Sequence, residues 1–187
     1  MSNLSLVKPS LEYLPHYTAA LERGWSPDNI RKDEAVREQL TQIAENPARF
    51  VASQDDPDAL GPPINLPDGS SVQRLPEFHR SLWDGEFCGA IGLRWQPGTS
   101  ALPPHVLGHI GFSVVVWKRG RGYAKTALAL LLPHAREQGL AYVELTTDPG
   151  NIASRRVILF NRGRLVERFR RVGAYGGAEA LRFRIDL

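Results

Sequence analysis

The sequence feature that most constrains the fold is a change of rhythm near residue 120. Gly108 to Trp117 is an apolar run in which Ile110, Phe112, Val114, Val115 and Val116 fall on both faces. That pattern predicts a strand covered on both sides and central in its sheet. Lys118-Arg119-Gly120-Arg121-Gly122 follows, a basic turn that contains two glycines. Ala124, Ala127, Leu128, Leu131 and Ala135 then recur at helical spacing. A helix start offers unpaired N–H groups and the positive end of the helix dipole, which together favour an anion. Gly120 and Gly122 have no Cβ to keep that anion away from the backbone. Arg119, Arg121 and Lys125 add charge, so the turn is expected to cradle a diphosphate. A glycine turn with solvated basic side chains is the plainer alternative.

Charge is distributed in the same sense. The net charge is +3, but residues 1–117 sum to −5 and residues 118–187 to +8. A basic C-terminal part suits an anionic partner, although charge does not choose between nucleic acid, an anionic cofactor and no ligand at all. The arginines alternate with apolar residues along strands and do not cluster on a helix, which argues against a nucleic-acid partner. With one cysteine, Cys88, neither an intramolecular disulfide nor a thiolate zinc site can form, and no metal site is expected. Cys88 lies in a strand-like run and reads as a small core residue. The N-terminus MSNLSLVKPS has no apolar h-region, and the apolar run Ala127 to Leu132 is too short to span a bilayer, so a cytoplasmic protein with no membrane partner is expected.

The 187 residues suit one domain, with N-terminal helices and a Pro-rich excursion in residues 1–75 and a ligand-binding core in 76–187. Leu11, Leu14, Tyr17, Thr18 and Leu21 predict a helix over 10–23, and Ile30, Val36, Leu40 and Ile43 a second over 28–45, with Asp28 or Asp33 as cap. Five prolines between residues 53 and 76 predict a long loop. Phe78 to Trp83 and Glu86 to Trp95, joined at Asp84-Gly85, read as a hairpin with a type I′ turn. Pro133 should kink or shorten the helix after the glycine turn, and Gly139 should cap it. Leu140 to Thr147 reads as a strand, and Asn151 as the cap of a helix that runs to about Asn161. A hairpin of Leu165 to Val172 and Leu181 to Leu187 closes the chain. Together these elements give a mixed α/β domain.

A Walker A loop fails here because Arg119 and Ala124 stand at its glycine positions, and a Rossmann fingerprint fails at Lys125. R-x-x-G-x-[GA] is satisfied by Arg119, Gly122 and Ala124. With Gly108-His109-Ile110-Gly111-Phe112-Ser113-Val114 before it and Asn151-Ile152-Ala153-Ser154-Arg155-Arg156-Val157-Ile158 after it, the chain resembles the GNAT N-acetyltransferase superfamily over residues 76–172. The resemblance implies an α/β (α+β) fold. Its central sheet is mixed and mainly antiparallel, with a splayed parallel strand pair at 109–117 and 140–147 and helices on both faces. It also implies an acetyl-CoA-dependent N-acetyltransferase acting on the amine of a small molecule or peptide. A non-catalytic acyl-CoA-binding module of the same fold is the alternative, and a homodimer is an open oligomeric state.

Carried over residue by residue, the resemblance gives the pantetheine to the backbone of Val114, Val115 and Val116. It gives the diphosphate to Arg119, Gly120, Arg121, Gly122, Tyr123, Ala124 and Lys125, with side-chain contacts from Asn151 and Ser154. His109 stands where relatives carry a glutamate base, and Glu144 on the neighbouring strand is the second base candidate. Relatives place a tyrosine at the position of Ile158 to protonate the leaving thiolate. Here solvent, Ser154 or Tyr175 would have to do so. A glycine is usual where this chain has Arg162. Tyr17, Trp25, the Pro-rich excursion and the turn near Tyr175 would line the acceptor side.

Overall fold

The computed structural model of the chain describes residues 3–65, 69–171 and 177–187. In chain order the elements are β1 (Ser5–Val7), α1 (Leu14–Glu22), α2 (Asp33–Glu45), α3 (Pro47–Ser53), β2 (Asp55–Asp56), β3 (Ile64–Asn65), β4 (Ser71–Val72), β5 (Glu77–Trp83), β6 (Phe87–Arg94), β7 (Ile110–Val114), α4 (Tyr123–Glu137), β8 (Tyr142–Thr147), α5 (Ile152–Phe160), β9 (Arg164–Arg170) and β10 (Glu179–Asp186). A 3₁₀ turn, Val116–Lys118, separates β7 from the glycine turn.

Among the described residues the strands form two main antiparallel sheets and a two-stranded ribbon, β3-β4. One has the order β1-β5-β6-β7, with β2 also on β5; the other has the order β8-β10-β9. Helix α4 covers one face of the first sheet, where Ala127, Leu128 and Leu131 pack with Leu82, Cys88 and Ile91. Helices α1 to α3 cover the other face, where Leu21, Trp25, Ile43 and Phe50 pack with Phe87, Ala90 and Val115. Both faces of the sheet are therefore dry, as its near-continuous apolar strands require. Cys88 is fully buried, as expected of a core residue. The two sheets meet at the splayed pair β7 and β8, which the crossover helix α4 connects.

Local chemistry explains where elements begin and end. Helix α4 closes on a left-handed Gly139 (φ +78°), with Gly139 N–H bonded to Arg136 C=O and Leu140 N–H to Ala135 C=O. These are the two bonds of a Schellman cap. Helix α4 runs through Pro133, because its stripe of fully buried residues, Ala127, Leu128, Leu131 and Ala135, outweighs one lost backbone bond. Asn151 Oδ1 accepts the Ser154 N–H at 3.0 Å and starts α5 as expected. Helix α2 starts at Asp33 and not at residue 28, because Asp28 Oδ1 binds the Ile30 and Arg31 N–H groups and closes a turn of its own. Helix α3 was legible in Asn46-Pro47, a cap followed by a proline at the first helical position.

Three further expectations fail. The β5–β6 turn is not a two-residue type I′ turn. Trp83 pairs with Phe87, so Asp84, Gly85 and Glu86 form a three-residue loop, and a register shift follows at once. The apolar strand stops at Val114, and β7 is the last strand of its ladder, not a central one. Its apolar faces are covered by helices on either side while its edge stays open. The Pro-rich stretch is not a bare loop. Strand β2 pairs with β5, β3 pairs with β4, and Asp56 accepts the N–H groups of Leu60 and Gly61.

Gly89 sits at the irregularity in β6 with φ +141°, and a Cβ built there would lie 2.1 Å from the Ser113 carbonyl oxygen. Gly89→Ala is expected to destabilise the fold by about 3 kcal/mol or more, through backbone strain and a clash that neither strand can relieve alone. Reversible thermal unfolding would read this as a fall in Tm of roughly 6–12 °C for a chain of this length. An unchanged Tm would show that β6 and β7 do not make this close approach.

Candidate active site

The strand, 3₁₀ turn, glycine turn and helix between Ile110 and Lys125 build a continuous polar edge. Gly120 and Gly122 both lie in the left-handed region, at φ +79° and +83°. That conformation costs an L-residue free energy and costs glycine none, which accounts for the residue type at both positions. Space within 4 Å of where their Cβ atoms would stand is empty. Gly122 caps α4 with no side-chain bond to its N–H groups. Among the described residues, the N–H groups of Gly120 to Ala124 donate to no carbonyl of the fold. They are the orphan donors of a helix start, set beside the exposed Arg119 and Arg121 and the partly exposed Lys125. Lys125 Nζ lies 4.8 Å from the centre of the Phe160 ring, so its ammonium is steered to the same end of α4. Lys118, the first cation of the stretch, is not part of this surface: it is 6% exposed and ion-paired to Asp84 and Glu86.

The cleft beside this cradle is a consequence of how β7 and β8 part. His109 N–H donates to the Glu144 carbonyl at 2.8 Å, and Glu144 N–H donates to His109 Nδ1 at 2.9 Å. The second bond spends a side chain where a ladder would use a backbone carbonyl. Among the described residues, no ladder joins the two strands beyond this point. The carbonyl of Phe112 accepts instead from Asn29 Nδ2 at 3.3 Å, and that of Val114 from Arg119 Nε at 3.2 Å. These two carbonyls are the polar edge of the cleft. Trp25 Nε1 donates to Ser113 Oγ at 3.0 Å, and Ser113 Oγ donates to the Ser26 carbonyl at 2.9 Å, so the turn after α1 is fastened along the same strand.

Residues singled out from the sequence separate into groups. Val114 faces the cleft. Val115 does not: it is fully buried and its N–H bonds to the Cys88 carbonyl. The Val116 carbonyl is taken by the Arg119 N–H inside the 3₁₀ turn. Tyr123 is 8% exposed and donates through its hydroxyl to Asp84, so it meets the cradle with its backbone alone. Asn151 is the exposed cap of α5, and Ser154 supplies the N–H it binds. His109 is fully buried. Since Nδ1 accepts a bond, the neutral ring carries its proton on Nε2. Burial, above all, pushes its pKa down to about 4. Glu144 is 9% exposed and binds Arg184 at 2.7 Å, with Arg182 at 3.7 Å.

Trp25 and Tyr17 pack edge to face in the α1–α3 core, and Tyr17 Oη donates to Gln39 at 2.7 Å, so neither ring is presented to a substrate. Ile158 is fully buried. Arg162 has φ +64°, which explains the usual glycine there. Tyr175 lies outside the described residues. Sequence reasoning missed Asn29, for which an isolated polar residue gives no signal. It also missed the carboxylate partner of Lys118, although a lysine directly after a buried strand was a hint.

The model of the acetyltransferase (GNAT) domain family matches residues 23–160, and the chain belongs to that family. Similar solved structures agree on the fold. RimL, a ribosomal L7/L12 α-N-protein acetyltransferase solved with coenzyme A, superposes with a TM-score of 0.64 at 14% identity, covering 100% of this chain and 96% of its own. RimJ of Mycobacterium smegmatis, in complex with CoA-disulfide, gives 0.60 at 18%, covering 98% and 81%. The microcin C7 self-immunity acetyltransferase MccE, with acetyl-CoA and AMP, gives 0.61 at 10%, covering 100% and 94%. No curated protein sequence matches the chain. Among the described residues, no helix is long and apolar enough to cross a membrane.

The state of His109 gives a pH test. Its folded pKa, about 4, lies below the ordinary 6.5, so the unfolded chain takes up the proton first. Stability should therefore fall as pH drops from about 6.5 towards 4. His79, also depressed by burial, adds a contribution of the same sign. His109→Asn keeps an acceptor for the Glu144 N–H and removes the titration. Denaturant unfolding at a series of pH values should show a shallower acid slope for the variant. Equal slopes would place His109 in contact with solvent.

Proposed function

We propose that this chain moves an acetyl group from acetyl-CoA to the amine of a small molecule or peptide, by direct attack of the amine on the thioester. One observation carries the reading: the open edge of β7 leads through a single 3₁₀ turn into a glycine cradle at the start of a helix, within residues 110–125. The residues present fit the cofactor. The N–H groups of Gly120 to Ala124 would hold the diphosphate, with Arg119, Arg121 and Lys125 supplying charge. The backbone of Val114 would meet the pantetheine amides, and Arg119 is free to leave the Val114 carbonyl for a phosphate because its side chain is exposed. Asn151 and Ser154, at the start of α5, would line the opposite side. When bound, acetyl-CoA supplies an acyl group activated as a thioester.

The acceptor must arrive as, or become, a free amine, since a lysine-type ammonium has a pKa near ~10.4. His109 has its only lone pair engaged by Glu144 N–H, and Glu144 is held by two arginines. We therefore assign His109 to fixing the vertex of the cleft and Glu144 to balancing Arg184, with the proton leaving through water in the cleft. Tyr175 remains the candidate for protonating the thiolate. The turn carrying Ser26 and Asn29, fastened to β7, would form the acceptor side. RimL acts on a protein α-amine, which supports a peptide N-terminus among the acceptors to be screened. The buried Ile158 favours one alternative, a non-catalytic acyl-CoA-binding module, which turnover of any amine would remove.

Thermal unfolding with acetyl-CoA, CoA, ATP and NAD is the direct test. At about 100 times its Kd, a CoA ligand should stabilise by ~2.7 kcal/mol, a rise of about 5–10 °C, and ATP and NAD should do little. Gly122→Glu should erase the rise with a small loss of Tm, since it sets a carboxylate against the phosphates at a left-handed position. No rise with either CoA form overturns the proposal. Once an acceptor is found, His109→Asn should lower kcat far less than the ~10²–10⁴-fold that loss of a general base costs. A loss in that range would make His109 the base.

A further inference from the structure

The three-residue turn of the β5–β6 hairpin reaches both ends of the glycine cradle. Asp84 Oδ1 accepts from Lys118 Nζ at 2.6 Å, and Asp84 Oδ2 accepts from the Tyr123 hydroxyl. Lys118 ends the 3₁₀ turn and Tyr123 opens α4, so only residues 119–122 lie between the two bonds. Glu86 adds a second carboxylate 3.0 Å from Lys118 Nζ, and Cys88 Sγ lies 3.6 Å from the same ammonium. Lys118 (6% exposed), Tyr123 (8%) and Cys88 (0%) are buried, whereas Glu86 reaches solvent.

We propose that Asp84 is a positioning residue for cofactor binding, a single carboxylate that holds the two ends of the cradle at the separation a diphosphate needs. The inference rests on the proposed reading of the cradle as the diphosphate site. A four-residue turn with two glycines has many conformations, and freezing them on binding would cost affinity. Fixing Lys118 and Tyr123 to one rigid group removes much of that freedom before the ligand arrives. The same contact sorts the charges. Lys118 is neutralised by acids behind the turn, so it does not compete for the phosphates and does not repel Arg119 and Arg121 across the glycines. Burial alone would raise the Asp84 carboxyl, but the bonds from Lys118 and Tyr123 outweigh it and hold its pKa well below the usual carboxylate range. The pair therefore stays charged throughout the neutral range. Burial, and then Asp84, push the Cys88 thiol up to about 12, so it stays a neutral packing group beneath the clamp.

The test compares Asp84→Asn and Tyr123→Phe with the parent protein, titrating CoA and S-acetylpantetheine, which lacks the diphosphate, by calorimetry. Each variant should raise the Kd for CoA about tenfold, the effect of one hydrogen bond to a charged group, and leave that for S-acetylpantetheine unchanged. The double variant should lose less than the two singles together, because both act through one contact. Tyr123→Phe keeps the ring and removes only a hydroxyl, so it tests the clamp even if Asp84→Asn does not fold. Parent-like CoA affinity in Tyr123→Phe and in any folded Asp84→Asn overturns the clamp and leaves the cradle standing. Equal losses of both ligands overturn it too, since they report a general loss of structure. A parent protein that binds no CoA overturns the clamp together with the cradle.

Discussion

The exchange between His109 and Glu144 is the constraint on which the site depends. In a regular sheet each residue on a strand offers both its backbone groups to its neighbour. Here His109 gives its N–H to Glu144 and then uses its ring, not its carbonyl, to receive the Glu144 N–H. The His109 carbonyl is left for Arg94 of β6. This exchange stitches the two sheets together, with the Thr146 hydroxyl bonded to the Leu107 carbonyl beside it. The edge of β7 beyond it is left with carbonyls that side chains from elsewhere, Asn29 and Arg119, come to satisfy. Backbone polar groups need partners, and partners as exposed as these are ones a ligand can replace.

Charge follows the same division between held and available groups. Five arginines of the C-terminal part are paired in or beside the second sheet. Arg184 pairs with Glu144, Arg182 with Glu167, Arg168 with Glu179, Arg171 with Asp148 and Arg164 with Asp186. The Arg164–Asp186 and Arg168–Glu179 pairs are exposed on both sides, and each contributes about 0–1 kcal/mol. Their consequence is electrostatic: the strand arginines are no free basic stripe for nucleic acid. The cations whose side chains are left beside open backbone donors are those around Gly120 and Gly122. The acidic N-terminal part is likewise engaged, with Asp55 on Arg80 and Asp84 on Lys118.

Much of the site could be read from the chain because it is written in local rules. The two left-handed glycines, the Asn151 cap, the Gly139 cap and the helical stripe after Gly122 each depend on a few neighbouring residues. A family resemblance through Arg119, Gly122 and Ala124 could then be recognised. Readings that failed depended on distant partners. Whether β7 was central or last in its ladder was invisible, because helices bury both its faces whether or not another strand pairs with its edge. The hairpin turn was misread because the irregularity that sets it lies at Gly89, where the approach of Ser113 demands it.

The sequence by itself determined the order of elements, the glycine conformations, the helix caps and the chemistry of an anion-binding helix start, all of which are settled over distances of a few residues. The tertiary structure alone decided which polar groups are spent and which are available. It buried Lys118 against Asp84 and closed the His109 ring on a backbone N–H. A side chain's ionisation, its free lone pairs and its access to a ligand are set by neighbours 30 or more residues away, as Lys118 and Asp84 are by 34 and His109 and Glu144 by 35.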